Sequence, residues 1–206
     1  MKSQVSKEAY AFQKYSGEDR WASYAAQLRE ILALSPSSVL EVGVGDGVVG
    51  SYLKRNTSIA YQSVDVADDL HPDTVGDVRA LPHPDASFDV VCAFEVLEHL
   101  PFEEFDTALA ELSRVSNQHV ILSLPHFGPP VKFLLKLPFL PELRFAMKIP
   151  YPKQHRFNGQ HYWEIGKKGY PARRVRESLA KRFSIKKEFV PFGNQYHHFF
   201  VLEKRS

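Results

Sequence analysis

Apolar and polar positions along this chain follow two different periods, and the switches between them mark out its elements. In WASYAAQLREILAL (21–34) apolar side chains recur at helical spacing among good helix formers, which predicts an amphipathic helix. Ser35, Pro36, Ser37 and Ser38 end it. SVLEVG (38–43) is a short apolar strand, a glycine cluster follows, and GVVGSYLKR (47–55) reads as the next helix. A second strand over 58–65 ends on Asp65, TVGDV (74–78) is a short third, and FDVVCAFE (88–95) is a fourth, apolar enough for burial on both faces. PFEEFDTALAELSRV (101–115) is the clearest helix: Pro101 suits the first turn, acids follow it, and Phe102, Phe105, Leu109 and Leu112 share one face. HVILSLP (119–125) is a fifth strand, PARRVRESLAKRF (171–183) a helix, and SIKKEFV (184–190) and QYHHFFVLE (195–203) two strands joined by a turn.

Strand and helix in alternation predict an α/β fold, a doubly wound and mostly parallel sheet with helices on both faces. The closing strand–turn–strand predicts that the last strand enters antiparallel. Residues 126–170 break the pattern. They are dense in proline, aromatic and basic residues and too long for a plain loop, so they read as an insertion or lid. The chain is expected to be one domain over 1–206, with a cap helix region in 1–36 and the lid over the acceptor site in 126–170.

Composition adds three constraints. A single cysteine, Cys92, excludes an intrachain disulfide framework and suits a reducing compartment. The first 21 residues lack the apolar run of a secretory signal, and no stretch reaches the roughly 20 apolar residues of a spanning helix. The expected location is therefore cytoplasmic, with peripheral membrane contact left open. The net charge of +2 hides an asymmetry: residues 1–130 hold 9 Lys+Arg against 19 Asp+Glu, and residues 131–206 hold 17 against 5. Such a split suits an anionic partner, or two halves that neutralise each other across the fold.

The sharpest chemical signal is VLEVGVGDGVVG (39–50), in which a strand runs into Gly43, Gly45 and Gly47 and then a helix. Glycine lets the chain turn tightly and lets a ligand lie against bare backbone. Gly45, Gly47 and Gly50 also satisfy the dinucleotide pattern G-x-G-x-x-G, with Asp65 about 20 residues on. Glu41, two residues before Gly43, opposes pyrophosphate and suits a ligand bearing an amino group and a sulfonium. A pair Asp77–Val78 and the terminal strand order point the same way.

In this ordered set the chain resembles the class I S-adenosylmethionine-dependent methyltransferases, which have a Rossmann-like fold, and within them the group with an E-x-G-x-G-x-G loop and an E-x-x-E-H box. The resemblance covers residues 38–125 well and the terminal strands loosely. It implies S-adenosylmethionine as cofactor. Gly43, Gly45 and Gly47 would line its methionine part, with Glu41 near the amino group. Asp65 would hold the ribose hydroxyls, Asp77 the adenine amine and Val78 the ring, and Phe94 and Glu95 would flank the sulfonium.

Glu95, Glu98 and His99 stand at i, i+3 and i+4, a spacing that puts side chains on one face of a helix and allows a divalent metal (Mg, Mn or Co). The same residues also serve to cap a helix or hold a loop. The box occurs in small-RNA 2′-O-methyltransferases of the Hen type and in ubiquinone-biosynthesis O-methyltransferases. By that resemblance a further histidine follows strand five, with His161 of HYWE (161–164) first and His155 and His126 as alternatives. Without a metal, His99, His126 or His161 would act as general base; His197 and His198 read as structural.

The expected acceptor is a small molecule or a glycan or lipid-linked compound, methylated on oxygen, and the apolar and cationic lid suits one that is anionic or amphipathic. The basic residues Arg173, Arg174, Arg176, Lys181 and Arg182 raise nucleic acid as an alternative acceptor, but no nucleic-acid module accompanies them. An NAD-dependent oxidoreductase and a non-catalytic nucleoside-binding homologue are the other rivals. Tyr15, Arg20 and Trp21 are expected to fold over the methionine carboxylate, with Arg20 as donor.

Overall fold

The computed structural model describes residues 10, 11 and 15–205. Helix α1 (Glu18–Ala33) precedes strand β1 (Ser38–Val42), α2 (Val48–Asn56), β2 (Ala60–Asp65), β3 (Thr74–Val75) and β4 (Phe88–Phe94). Then come α3 (Phe105–Val115), β5 (Ser116–Pro125), β6 (Pro130–Leu135), β7 (Leu143–Lys148), α4 (Ala172–Ala180), β8 (Phe183–Phe189) and β9 (His197–Lys204). Seven strands form one sheet in the order β3-β2-β1-β4-β5-β9-β8. β1, β2, β3, β4 and β5 pair in parallel, and β9 runs antiparallel to both neighbours. This is a Rossmann-like α/β sheet with the antiparallel closing strand that the terminal strand–turn–strand predicted.

The apolar runs of β1, β4, β5 and β9 are covered on both faces. Leu40, Val91, Leu122 and Phe200 face the layer of α3 and α4, where Leu109, Leu112, Val175 and Leu179 are fully buried. Val39, Val90, Cys92, Ile121 and Val201 face Tyr24 and Ile31 of α1 and Val49 and Leu53 of α2. A period of two in strands that are buried on both sides shows in the sequence as an unbroken apolar run. Helix α3 buries Phe105, Ala108, Leu109, Leu112 and Val115, the stripe that its spacing predicts.

Three boundaries differ from the sequence pattern. β3 is only two residues long, because Asp77 turns the chain: its carbonyl accepts from the Ala80 amide and its Oδ1 from the Arg79 amide, bonds a strand cannot offer. Asp77 and Val78 thus lie beyond β3 rather than ending it. Leu97–His99 is a single 3-10 turn, not part of a helix running from Glu95. Residues 126–170 contain the hairpin β6–β7, a sheet of its own. The end of that segment returns to the core: Trp163 is fully buried and its indole N–H donates to the Leu100 carbonyl at 3.1 Å. Among the described residues no helix is long and apolar enough to cross a membrane.

Candidate active site

The parallel strands β1, β2 and β4 end together, and their C-terminal ends frame a cleft of about 780 Å³. Ligand sites of open α/β sheets form at this edge. Its near wall is the glycine loop. Gly43, Gly45 and Gly47 have φ of +84°, +57° and +71°, a region that residues with a Cβ rarely enter. A Cβ on Gly43 would stand 2.3 Å from Val96 Cγ2, so both space and conformation demand glycine there. Asp65, at the end of β2, ties the wall together: its Oδ2 accepts from the Val44 amide at 2.8 Å and its Oδ1 from the Ala67 amide at 2.9 Å.

Gly43, Gly45, Asp65, Val78, Phe94 and Glu95 all line the cleft. Three residues of the expected cofactor set stand behind it. Gly47 caps the start of α2. Glu41 lies beneath the loop, buried and hydrogen-bonded by the Tyr61 hydroxyl, because its place in β1 alternates it onto the α1–α2 face. Burial pushes its carboxyl up to about 8 despite that bond. Asp77 points to Arg79, whose Nε and Nη2 reach its two oxygens at 2.9 and 2.6 Å, and this pairing holds its carboxyl down at about 2.

Tyr10 and Tyr15 close the cleft from the N-terminal side. Arg20 stacks on Tyr15, its guanidinium 4.1 Å from the ring centre, and does not itself line the wall. Trp21 is exposed and packs edge-on against Tyr24, whose hydroxyl donates to Asp46 of the glycine loop. Tyr10 carried no sequence signal of its own, since it stands with Phe12 and Tyr15 in a stretch without a motif.

The E-x-x-E-H box occupies the far wall, and its geometry is that of a bend. Glu95 has φ +55°, an uncommon conformation for a residue with a Cβ. That turn separates Glu95 from the other two acids and bases of the box. Its Oε2 lies 3.6 Å from His197 Nε2, a residue that the sequence suggested was merely structural. Glu98 and His99 instead meet His161: one ligand atom from each lies within 4.8 Å of the others, and Glu95 is outside this group. Of the four residues expected to hold a metal, Glu98, His99 and His161 come together and Glu95 does not, because the one-helix-face geometry is not formed.

Glu98 is fully buried, with no hydrogen-bond partner on either oxygen among the described residues and His161 Nε2 3.9 Å away. Burial and the nearby Glu95 push its carboxyl well up. An uncompensated buried carboxylate is costly, and a cation or a proton relieves it. His99 Nδ1 lies 3.1 Å from the Gln160 carbonyl, so that nitrogen carries the proton and Nε2 keeps its lone pair. Burial and His161 hold His99 down at about 4. His161 Nδ1 is 3.4 Å from Glu164 Oε1, and the Tyr196 hydroxyl donates to that same oxygen at 3.1 Å. The donor set of one carboxylate and two imidazoles fits a divalent transition ion better than Mg²⁺, which takes oxygen ligands. His155 is placed behind this group, its Nε2 2.9 Å from the His161 carbonyl.

His126 belongs to a second chain of polar groups. Its Nδ1 is 2.9 Å from His198 Nδ1 with the ring planes 10° apart, His198 Nε2 is 2.8 Å from Glu188 Oε1, and Arg176 grips Glu188 through Nε and Nη2. Burial holds His126 down at about 3. His126 lines a second cleft with Phe127, Gly128, Pro129, Lys148, Tyr151 and Tyr196. Tyr196 lines this second cleft and reaches Glu164 beside His161, a place its apolar sequence surroundings did not reveal.

Comparisons with known proteins agree with this geometry. Residues 40–124 match the family model described as a methyltransferase domain. A demethylmenaquinone methyltransferase of Deinococcus radiodurans is 36% identical over 138 residues, 57% of this chain and 54% of that protein, so the chain spans about half the length of this curated relative. Among solved structures, the 1,6-didemethyltoxoflavin-N1-methyltransferase of Burkholderia thailandensis, with 1,6-didemethyltoxoflavin and S-adenosylhomocysteine bound, superposes with a TM-score of 0.65 at 17% identity, over 97% of this chain and 85% of that one. The magnesium protoporphyrin IX methyltransferase of Synechocystis PCC 6803, with S-adenosylmethionine bound, superposes with a TM-score of 0.59 at 17% identity, over 100% and 87%. Residues 40–124 thus match a methyltransferase domain, and the sheet as a whole shares its fold with methyltransferases solved with S-adenosylmethionine or S-adenosylhomocysteine bound.

Proposed function

We propose that the chain binds S-adenosylmethionine in the cleft beside the glycine loop and transfers its methyl group to a hydroxyl oxygen of a small-molecule, glycan or lipid-linked acceptor. The observation that carries this reading is a single wall-to-wall arrangement. Bare glycine backbone stands on one side of the cleft, and His99, beside the buried Glu98 and His161, stands on the other. Gly43 and Gly45 take the methionine part, Asp65 the ribose hydroxyls, Val78 the adenine ring, and Phe94 and Glu95 the sulfonium. Asp77 and Glu41 support the wall from behind. The names of the related enzymes support small organic acceptors as the class.

The reaction is an in-line displacement. The acceptor oxygen attacks the methyl carbon, the carbon–sulfur bond breaks, the sulfonium becomes a neutral thioether, and the hydroxyl proton passes to His99 Nε2. Most of the rate comes from alignment in a site shielded from water. A divalent cation held by Glu98, His99 and His161 would lower the pKa of a coordinated hydroxyl. His126 shares the second cleft with Tyr196, which supports contact with the acceptor rather than the cofactor.

Calorimetry with S-adenosylhomocysteine and with NAD tests the cofactor: binding of the first alone is expected, and binding of NAD alone overturns the reading in favour of an oxidoreductase. Incubation with methyl-labelled cofactor and a panel of hydroxylated metabolites tests the chemistry. Label in no acceptor favours a non-catalytic nucleoside-binding homologue. EDTA separates the two uses of His99: loss of activity restored by Mg²⁺, Mn²⁺ or Co²⁺ assigns it as a ligand, and indifference assigns it as the proton acceptor.

A further inference from the structure

The β6–β7 hairpin has two unlike faces. Cross-strand partners share a face, and alternate residues change face. The pairs Val131 with Met147, Phe133 with Phe145 and Leu135 with Leu143 therefore form one face of six large apolar side chains and nothing else. All six are exposed, Phe133 and Phe145 by half their surface. The reverse face carries Lys132, Arg144 and Lys148 together with Pro130, Leu134 and Ala146. That face is turned to the body of the protein: Lys132 and Arg144 lie over the Phe192 ring, and Lys148 donates to the Gly128 carbonyl. The apolar face consequently points away from the domain. The tip continues it with Leu137, Phe139 and Leu140, and Phe139 is completely exposed.

A patch of this kind marks an interaction surface. We infer that the hairpin is a docking element for an anionic phospholipid bilayer, which takes up the six-residue face and the tip. Charge selects this occupant. Between residues 130 and 148 stand Lys132, Lys136, Arg144 and Lys148 against one acid, Glu142, which is paired with Arg144. Elsewhere the charge asymmetry is used within the fold, as in Lys187 with Glu30 and Lys181 with Asp106. The hairpin's excess is left to an external anion. An amphipathic element buries its apolar face about 5–10 Å into the headgroup boundary. In a single sheet layer that depth leaves the basic reverse face at the level of the headgroups, where its cations meet lipid phosphates. A second copy of the chain would compete for the apolar face, and the oligomeric state separates the two occupants.

The inference does not depend on methyl transfer, and its test reads binding alone. The intact protein is sedimented with vesicles of equimolar phosphatidylglycerol and phosphatidylcholine, and with vesicles of phosphatidylcholine only. Partitioning onto the anionic vesicles is expected, weakened by high salt, and cut at least about tenfold in the double variant Phe133→Ser, Phe145→Ser. S-adenosylhomocysteine binding by the double variant shows that it is folded; Phe139→Ser, at the tip, serves as a second probe if it is not. Wild-type protein left in the supernatant with anionic vesicles overturns the inference. So does equal partitioning of wild type and variants, or a dimer in solution that the double variant converts to monomer.

Discussion

Gly43 and Glu41 stand two residues apart in β1 and its loop, and each makes a different demand. At Gly43 the demand is steric. A methyl group there meets Val96, and φ +84° adds a conformational cost of about 1–3 kcal/mol. Gly43→Ala is expected to lower stability by about that amount and to weaken S-adenosylhomocysteine binding at least about tenfold, read by urea unfolding and calorimetry. Unchanged affinity would remove Gly43 from the cofactor wall. At Glu41 the demand is electrostatic. Its folded carboxyl titrates near 8 against 4.5 in an unperturbed chain, so between those values the unfolded state binds fewer protons and stability falls as pH rises, levelling off above 8. Glu41→Gln keeps an acceptor for the Tyr61 hydroxyl and removes this loss. The variant should therefore gain several degrees in Tm over wild type at about pH 8.5 and little at about pH 5. Parallel curves at both pH values would show that Glu41 is ionised in the fold.

At the scale of elements, the site is held by ties between segments distant in sequence. Tyr24 links α1 to the glycine loop through Asp46, and Trp163 links the end of the 126–170 segment to the turn after the E-x-x-E-H box. Tyr24→Phe removes one hydrogen bond to a charged group while leaving the ring packing intact. The expected cost is about 1.5–3 kcal/mol of stability, with a several-fold rise in the S-adenosylhomocysteine Kd because the loop loses its anchor. If thermal unfolding shifts but affinity does not, α1 is only a cover for the sheet. The chain from Arg176 through Glu188 and His198 to His126 similarly joins α4, β8, β9 and the end of β5. That tie explains why His198, in a last strand that is apolar by pattern, is buried with both ring nitrogens engaged.

For the whole molecule, the hairpin and the domain are separate in their energetics. The Ile149 amide donates to the Pro129 carbonyl at 2.9 Å, so the two ends of the hairpin already lie side by side at its root. Replacing residues 130–148 by a short glycine turn is expected to leave Tm within about 4–8 °C of wild type, the equivalent of roughly 1 kcal/mol in a small domain. Leu109→Ala, in the fully buried stripe of α3, should cost about 2–5 kcal/mol. A collapse of the hairpin-less protein comparable with Leu109→Ala would mean that the hairpin is part of the folding core.

The chain's own residue pattern determined the alternation of strands and helices, the antiparallel last strand and the glycine wall, because period, apolar runs and left-handed turns are written locally. Phe94 and Asp65 could be placed at strand ends for the same reason. What lay outside that reading depended on three-dimensional position. The bend at Glu95 separates it from Glu98 and His99 despite their helical spacing, and Asp77 prefers its neighbour Arg79 to an open cleft. His161 and Tyr196 reach the site across more than 60 and 90 residues of chain from the box, and the hairpin's apolar face exists only once two strands are in register. Proximity between segments far apart in sequence is produced by packing, and packing has no local signature.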